Sequence, residues 1–349
     1  MEPSASDRRW LQIRRHLRDH RYELGLAAGR DLYPGTDRVA GTPLLVAAHW
    51  TPSQPVPLDA AVLELEPTEE RFELPEPRYS EAMDRLDRPA VFENRLTYRL
   101  LDAVLDDDRP RMRFGHGRYF DGIDTGEAVA HEYAAADLAR TTVPSASDGG
   151  GVRLPVRADV GDPVDPLRRP VNVALSAVTI RRADQLRFLV HRRDPARVAH
   201  AGGLLQVVPV GIFQPVSETT VQQDFSLWRC LQREFAEELL GEPEAVGPVD
   251  YDAWPFERER RAGRMRPFLL GMGVDPLTLA TDVLCAVVVD APAYDRVFGC
   301  RVTENDEGTV SEHPFTADVV DRVGHRERTQ AAGAAVVALA WAHRERLLS

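Results

Sequence analysis

Residues 224–241, DFSLWRCLQREFAEELLG, have the apolar spacing of a single amphipathic helix. The side-chain oxygen of Asp224 or Ser226 can accept a hydrogen bond from a first-turn amide, so either residue is a candidate N-cap. Gly241 suits the left-handed residue that follows a helix, and Pro243 prevents the helix from continuing. The apolar residues recur at steps of one, three and four and therefore share one face: Leu227, Trp228, Leu231, Phe235 and Leu239.

Three glutamates lie beside this apolar face. Glu234, Glu237 and Glu238 are separated by helical steps of three, four and one, so their carboxylates project from one side of the predicted helix. Carboxylates placed this close repel one another unless a cation lies between them, and Mg²⁺ or Mn²⁺ prefers oxygen ligands of this kind. An ordinary solvated acidic face is the alternative, because glutamate is a favoured helix residue.

The composition indicates a soluble globular protein. Of the 349 residues, 43% are hydrophobic and 28% are charged. The net charge of −12 disfavours non-specific binding to nucleic acid or to an anionic membrane. All 43 basic residues are arginines, so any phosphate contact must use a guanidinium group.

The cysteines and the N-terminal segment predict a cytoplasmic location. The chain has an odd number of cysteines, and none of them forms a CxxC pair: Cys230, Cys285 and Cys300. This pattern predicts free thiols in a reducing compartment. The N-terminal sequence MEPSASDRRW lacks an apolar signal region, and no apolar run is long enough to span a bilayer.

The first 140 residues predict a smaller α+β domain. The apolar spacing predicts helices over residues 7–30 and 80–105, and strands over residues 42–50 and 60–67. A glycine-rich segment, residues 114–128, is interpreted as a tight connection before a helix, with a ligand-binding loop as the alternative. This part of the chain suggests no mechanism.

A change of composition at residues 141–170 predicts a linker. Ser, Gly, Pro and Asp dominate this segment, and it has no hydrophobic periodicity. The chain length allows two domains, so the boundary is placed here, between residues 1–140 and a second domain over residues 171–349.

The second domain is predicted to be an α/β/α sandwich with a mixed sheet, or a related α+β packing. Residues 171–182 and 185–193 form a predicted hairpin, and an extended apolar run over residues 200–216 leads into the glutamate helix. Two further strands follow within residues 269–291, and residues 329–348 form a final helix. This order of strands and helices is typical of layered α/β domains.

The segment Arg233-Glu234-Phe235-Ala236-Glu237-Glu238 resembles the core of the Nudix box, the signature of a family that hydrolyses nucleoside diphosphates linked to a second moiety. The resemblance implies that Glu234, Glu237 and Glu238 bind Mg²⁺ or Mn²⁺, that Glu237 or Glu238 can act as the base, and that Arg233 orients a glutamate. Its specific part covers about eight residues of the chain.

Two pairs of residues near the box are candidates for substrate binding. Gly202 and Gly203 lie where a Nudix domain has the loop that enters the box. Arg192 and Arg193 end a predicted strand, where guanidinium groups can contact a substrate phosphate. Strand ends are also commonly charged because solvent surrounds them, and both interpretations stay open.

The segment before the core departs from the family pattern. The nearest fit is Gly211, six residues, Glu218, and then fourteen residues before Arg233, so Glu218 is the candidate for a fourth metal ligand. Phe225 stands at the position, separated from the core by seven residues, where the family has glutamate. The closing glycine, Gly241, comes one residue late.

Two classes of function follow. The first is a metal-dependent hydrolase of a pyrophosphate-containing nucleotide derivative, and the alternative is a degenerate Nudix-like protein that senses a ligand or regulates. The expected partner is a nucleotide-type small molecule, with no membrane and with a homodimer left open. P-loop, GxGxxG and GxSxG motifs are missing from the sequence, which argues against nucleotide kinases, dinucleotide dehydrogenases and α/β-hydrolases.

Overall fold

The structure is a computed structural model that describes residues 3–67, 76–106, 108–142, 153–193, 203–305 and 308–349. Its strands and helices confirm the predicted mixed α/β class. The strands are β1 (Val56–Pro57), β2 (Val62–Leu65), β3 (Leu96–Val104), β4 (Arg111–Arg118), β5 (Val173–Arg182), β6 (Arg187–Arg193), β7 (Leu205–Val207), β8 (Val210–Ile212), β9 (Met265–Val274), β10 (Thr281–Asp290), β11 (Glu304–Asn305) and β12 (Gly308–Pro314).

The helices separate these strands along the chain. They are α1 (Ala5–Asp19), α2 (Arg21–Leu32), α3 (Tyr79–Leu86), α4 (Tyr119–Gly122), α5 (Ala128–Thr142), α6 (Pro155–Val160), α7 (Val221–Asp224), α8 (Leu227–Leu240), α9 (Pro255–Arg261), α10 (Ala291–Phe298), α11 (Ala317–Asp321), α12 (Ala331–Ala342) and α13 (Arg344–Leu348). None of the helices in the described part of the chain combines the length and the apolar character needed to cross a membrane.

The strands form two sheets. The larger sheet has the order β1-β9-β10-β5-β6-β12-β11, with β7 also paired to β6 and β8 also paired to β5. Only β5 and β10 among its described pairs run parallel, so the sheet is mixed. The smaller sheet has the order β2-β4-β3.

The larger sheet is covered on both faces. Successive residues of a strand point to opposite faces, so Cys285 and Val287 of β10 pack in one apolar core with α8, while Leu284 and Ala286 pack in a second core with α12. The chain over 171–349 therefore has the predicted α/β/α layering. The three-stranded sheet contributes Tyr98, among others, to the core on the α8 side.

The helix predicted over residues 224–241 is α8. Ser226, not Asp224, is its N-cap, since the Ser226 hydroxyl accepts from the Arg229 amide. Gly241 ends the helix in the left-handed conformation, with φ +69°. The hairpin of β5 and β6 is also confirmed.

Three predictions in the first 140 residues are wrong. Residues 96–104 are the strand β3 and not part of a helix. Five consecutive residues of β3 are buried, so its sequence lacks the alternation of apolar and polar residues that distinguishes a strand from a buried helix. Residues 42–50 form one short helical turn, Ala48–Trp50, and two isolated bridges, from Leu45 to Arg38 and to Val274. The glycine-rich segment, residues 114–128, is the end of β4 followed directly by helix. A Cβ atom at Gly117 would lie 3.0 Å from the Cβ of Arg99, so glycine permits a close approach of the two strands there.

The division into domains stays a prediction, and the two predicted parts contact each other extensively. Strand β1 pairs with β9, and the Tyr98 ring lies 4.5 Å from the Phe213 ring, centroid to centroid. Residues 143–152 of the predicted linker lie outside the described residues. Further along the same segment, Arg157 is buried and donates hydrogen bonds to the hydroxyl of Tyr33 and the carbonyl of Leu277.

Candidate functional site

Arg233 is held in a buried polar network on α8. Its guanidinium group donates to the Tyr251 hydroxyl and to the Gln214 carbonyl, both at 2.6 Å. The Tyr251 hydroxyl in turn donates to Asp224 Oδ1 at 2.6 Å, and Asp224 Oδ2 accepts from the Val216 amide at 2.9 Å. Arg233 therefore fixes the loop before α8, and these hydrogen bonds do not involve a glutamate of the helix. The assignment of Arg233 as a residue that orients a glutamate stays a prediction.

Glu234 lies against the backbone of β8. A Cβ built on Gly211 would come within 2.0 Å of the Glu234 carboxyl carbon, so only glycine permits this close approach. Glu238 lies one helical step further, and its Oε1 accepts from the Val210 amide at 3.4 Å. Both carboxylates therefore contact the short strand that precedes the helix.

Glu237 has an unusual electrostatic environment. Burial raises the pKa of its carboxyl to about 7, and the negative charge of Glu244 adds to the rise, while the charges of Arg233 and Arg95 oppose it. Arg95 comes from the first part of the chain and forms an ion pair with Glu244. Nothing in the local sequence pattern of Arg95 and Glu244 indicates that they lie near α8, so the sequence does not predict them.

Glu218 has a partner elsewhere. Its side chain is 71% exposed and forms an ion pair with Arg118, at 3.0 Å, at the end of β4. Phe225, at the position of the family's glutamate, packs in the core side by side with Phe213, with 5.7 Å between the ring centroids. The longer loop before α8 thus places an aromatic residue in the core and a glutamate at the surface.

Among the residues that the structure describes, no three His, Cys, Asp or Glu side chains are grouped so that they could hold a metal ion. Binding of Mg²⁺ or Mn²⁺ by Glu234, Glu237, Glu238 and Glu218 stays a prediction.

The four candidate substrate residues are not all described. Gly202 lies outside the described residues, and Gly203 adopts φ +79°, a left-handed conformation that favours glycine in the turn before β7. Arg192 is exposed on β6, opposite Thr309 of β12, and Arg193 ends the strand. Their role in substrate binding stays a prediction.

A cavity of about 330 Å³ lies on the opposite face of the sheet from α8. Ile212 of β8 and Asp282 of β10 form part of its floor, and both are in register with Ala174 of β5. The volume is within the range of about 300–1,000 Å³ that is usual for small-molecule sites. The walls come from α2, from the β9–β10 loop and from the first turn of α12: Arg21, Tyr22, Gly25, Leu26, Asp275, Pro276, Leu277, Thr278, Gln330, Ala331 and Ala332.

Asp282 is a buried acid in this cavity. The residue is only 7% exposed, and its Oδ1 accepts a hydrogen bond from the Ser176 hydroxyl at 2.8 Å. Burial raises the pKa of Asp282 to about 6. Asp282 is not among the residues predicted from the sequence. An acid inside the apolar strand TDVLCAVVVD is nevertheless a signal, because unpaired carboxylates are rarely buried.

A smaller cavity of about 170 Å³ shares walls with the first. Arg21, Ile212, Thr278 and Ala280 line both. Adjacent residues of β8 point to opposite faces of the sheet. Gly211 lies under Glu234 of α8, and Ile212 lines the cavity on the other face of the sheet, so β8 connects the two sites.

Comparison with known proteins finds a structural likeness. No protein-family model matches the chain, and no curated protein matches it significantly. Among solved structures, the chain is similar to the Nudix domain of Shewanella oneidensis NrtR, which was crystallised with ADP ribose. The sequence identity is 18%, the match covers 51% of this chain and 88% of that one, and the TM-score is 0.28.

Proposed function

We propose that this protein binds a nucleotide-type, pyrophosphate-containing small molecule on a Nudix-like scaffold and acts as a ligand sensor or regulator. The observation that carries the proposal is the cavity beside β8, whose size suits a small ligand and whose walls combine apolar side chains with a few polar groups. The resemblance of residues 233–238 to the Nudix core supports the nucleotide class of the ligand.

The first turn of α12 gives the cavity a feature that suits an anionic ligand. Glu234, Glu237 and Glu238 would repel a pyrophosphate group at the surface of α8 unless a cation lay between them. In the cavity, the first turn of α12 borders the space, and first-turn amides stabilise anions. The lining also contains Asp275 and Asp282, and its Arg21 is ion-paired with Glu127, so the α12 amides are the groups that would hold the phosphate.

Metal-dependent hydrolysis is the second candidate function, and the Glu237 carboxyl favours it. A group with a pKa of about 7 is suited to accept a proton near neutral pH. Bound Mg²⁺ or Mn²⁺ would supply charge stabilisation at the pyrophosphate, and Glu234 and Glu238 would be the neighbouring ligands. Glu237 would then hold or release the proton at its carboxylate.

One experiment separates the two functions. Purified protein is mixed with ADP-ribose, dinucleotides and other nucleoside diphosphate derivatives, with EDTA or with Mg²⁺ or Mn²⁺, and both the thermal midpoint and the cleavage products are measured. The sensor proposal predicts that at least one compound raises the midpoint in EDTA and is recovered intact.

The Glu237→Gln variant is the matched control, because it removes the titratable group and keeps the shape. Under the sensor proposal it binds the same compound as the wild type. Metal-dependent turnover that Glu237→Gln abolishes would establish the hydrolase instead, and a panel without binding or cleavage would reject both functions.

A further inference from the structure

The cavity beside β8 is lined by both apolar and polar side chains. Tyr22 and Leu26 of α2 and Leu277 of the β9–β10 loop supply apolar surface, whereas Asp282 lies at the floor. A lining of this kind suits a weakly polar ring that offers a hydrogen-bond donor to the acid.

The Asp282 carboxylate has an oxygen available for a ligand. Oδ1 accepts from the Ser176 hydroxyl, while Oδ2 has no hydrogen-bond donor among the described residues. Burial of the residue reduces the solvation of this oxygen, so a hydrogen-bond donor on a ligand would stabilise it. Asp282 is more than nine-tenths buried and lines the cavity, so a donor placed there would satisfy Oδ2.

Other charged groups of the cavity lie at its walls. Asp275 accepts from the amides of Leu277 and Thr278, which occupies its Oδ1. Arg21 forms an ion pair with Glu127 at 3.0 Å. Asp275 is only partly buried, so Asp282 is the buried acid of this cavity.

The first turn of α12 is the part of the lining that suits an anion. Ala331 and Ala332 lie in this turn of a helix of 12 residues, and first-turn amides have no intrahelical acceptor. A ligand that carries both a hydrogen-bond donor and a phosphate would satisfy Asp282 and these amides, and a nucleotide carries both groups.

We propose that this cavity binds the base of the nucleotide, and that the base is one with an exocyclic amino group, such as adenine or cytosine, which donates to Asp282 Oδ2. The inference rests on the proposed function, since it assigns the base specificity of that same ligand. Bases that carry a carbonyl in place of the amino group, as in hypoxanthine or uracil, would bring an acceptor against the carboxylate.

The test compares ligands that differ only at this group. ADP-ribose and its hypoxanthine analogue are titrated into the protein by calorimetry in EDTA, and AMP with IMP and CMP with UMP follow as smaller pairs. The amino member of each pair is expected to bind about 5- to 150-fold more tightly, the usual range for one good base contact.

Asp282→Asn tests the assigned residue. The amide keeps the size of the side chain and adds a donor, so the preference for the amino base is expected to shrink or reverse. Gly25→Phe tests the cavity itself, because a Cβ at Gly25 meets no atom within 4 Å and the ring can enter the space. Gly35→Phe is the control, since Gly35 also has open space but does not line the cavity.

Each outcome decides a different claim. Equal affinity for the two members of a pair, or an unchanged preference in Asp282→Asn, would overturn the base assignment and leave ligand binding intact. Full binding in Gly25→Phe would overturn the cavity as the site. If no nucleotide of the panel binds, the proposed function itself fails.

Discussion

Replacing Asp282 with asparagine should stabilise the protein at neutral pH. The folded state keeps the Asp282 proton up to about pH 6, because burial raises its pKa and the charge of Asp275 adds to the rise, while the hydrogen bond from Ser176 opposes it. The unfolded state loses the same proton near the ordinary value of 3.8. Between these two pH values the folded state binds more protons, so its stability falls as the pH rises.

The magnitude follows from the two pKa values. A rise from 3.8 to about 6 corresponds to about 3 kcal/mol, at about 1.4 kcal/mol for each pKa unit. The asparagine side chain has no charge to bury, so Asp282→Asn is expected to raise the free energy of unfolding by up to about 3 kcal/mol above pH 7. Below pH 4 the two proteins should be equally stable.

Urea denaturation of both proteins from pH 4 to pH 8 measures this difference. Ser176→Ala provides a second check, because loss of its hydrogen bond should raise the Asp282 pKa further and lower the stability at neutral pH. An Asp282→Asn variant that is no more stable than the wild type at pH 7.5, or a difference that does not change with pH, would show that a charged Asp282 does not destabilise the folded state.

Three further predictions concern residues around helix α8 and around the cavity on the other face of the sheet. Gly211→Ala should cost about 1–3 kcal/mol by forcing the Glu234 carboxylate away, and Glu234→Ala in the same chain should recover part of this loss in a double-mutant cycle. Tyr251→Phe should lower the free energy of unfolding by about 2–3 kcal/mol, since it removes the hydroxyl that links Arg233 to the neighbouring acid, and urea denaturation checks it. Gly25→Ala should raise the free energy of unfolding by about 0.5–1 kcal/mol through helix propensity, and an unchanged or lower thermal midpoint would contradict this.

The elements with strong local signals can be predicted from the sequence. Helix α8 combines a polar N-cap, one apolar face and a glycine that follows it, so the pattern predicts its limits to within a few residues. The β5–β6 hairpin has an equally clear pattern of β-branched residues around a short turn. In both cases the interactions that define the element lie close together in the chain.

The candidate site depends on contacts between distant segments, and these could not be predicted. Arg95 and Glu244 are far apart in sequence but form an ion pair beside Glu237. Asp282 lines a cavity only because α2, the β9–β10 loop and α12 meet over β10. The helix prediction for β3 is wrong because the partners of this strand, and not its own sequence, make it extended.

The location of the ligand tests the central claim most directly. Backbone amide signals of isotopically labelled protein would be followed by NMR while ADP-ribose is added in EDTA. If the ligand binds in the cavity, we expect the largest shifts at residues 278–282 and 330–332 and little change at the amides of Glu234, Glu237 and Glu238. Shifts that centre on α8 and require Mg²⁺ would contradict binding in the cavity and would return the ligand to the glutamate face.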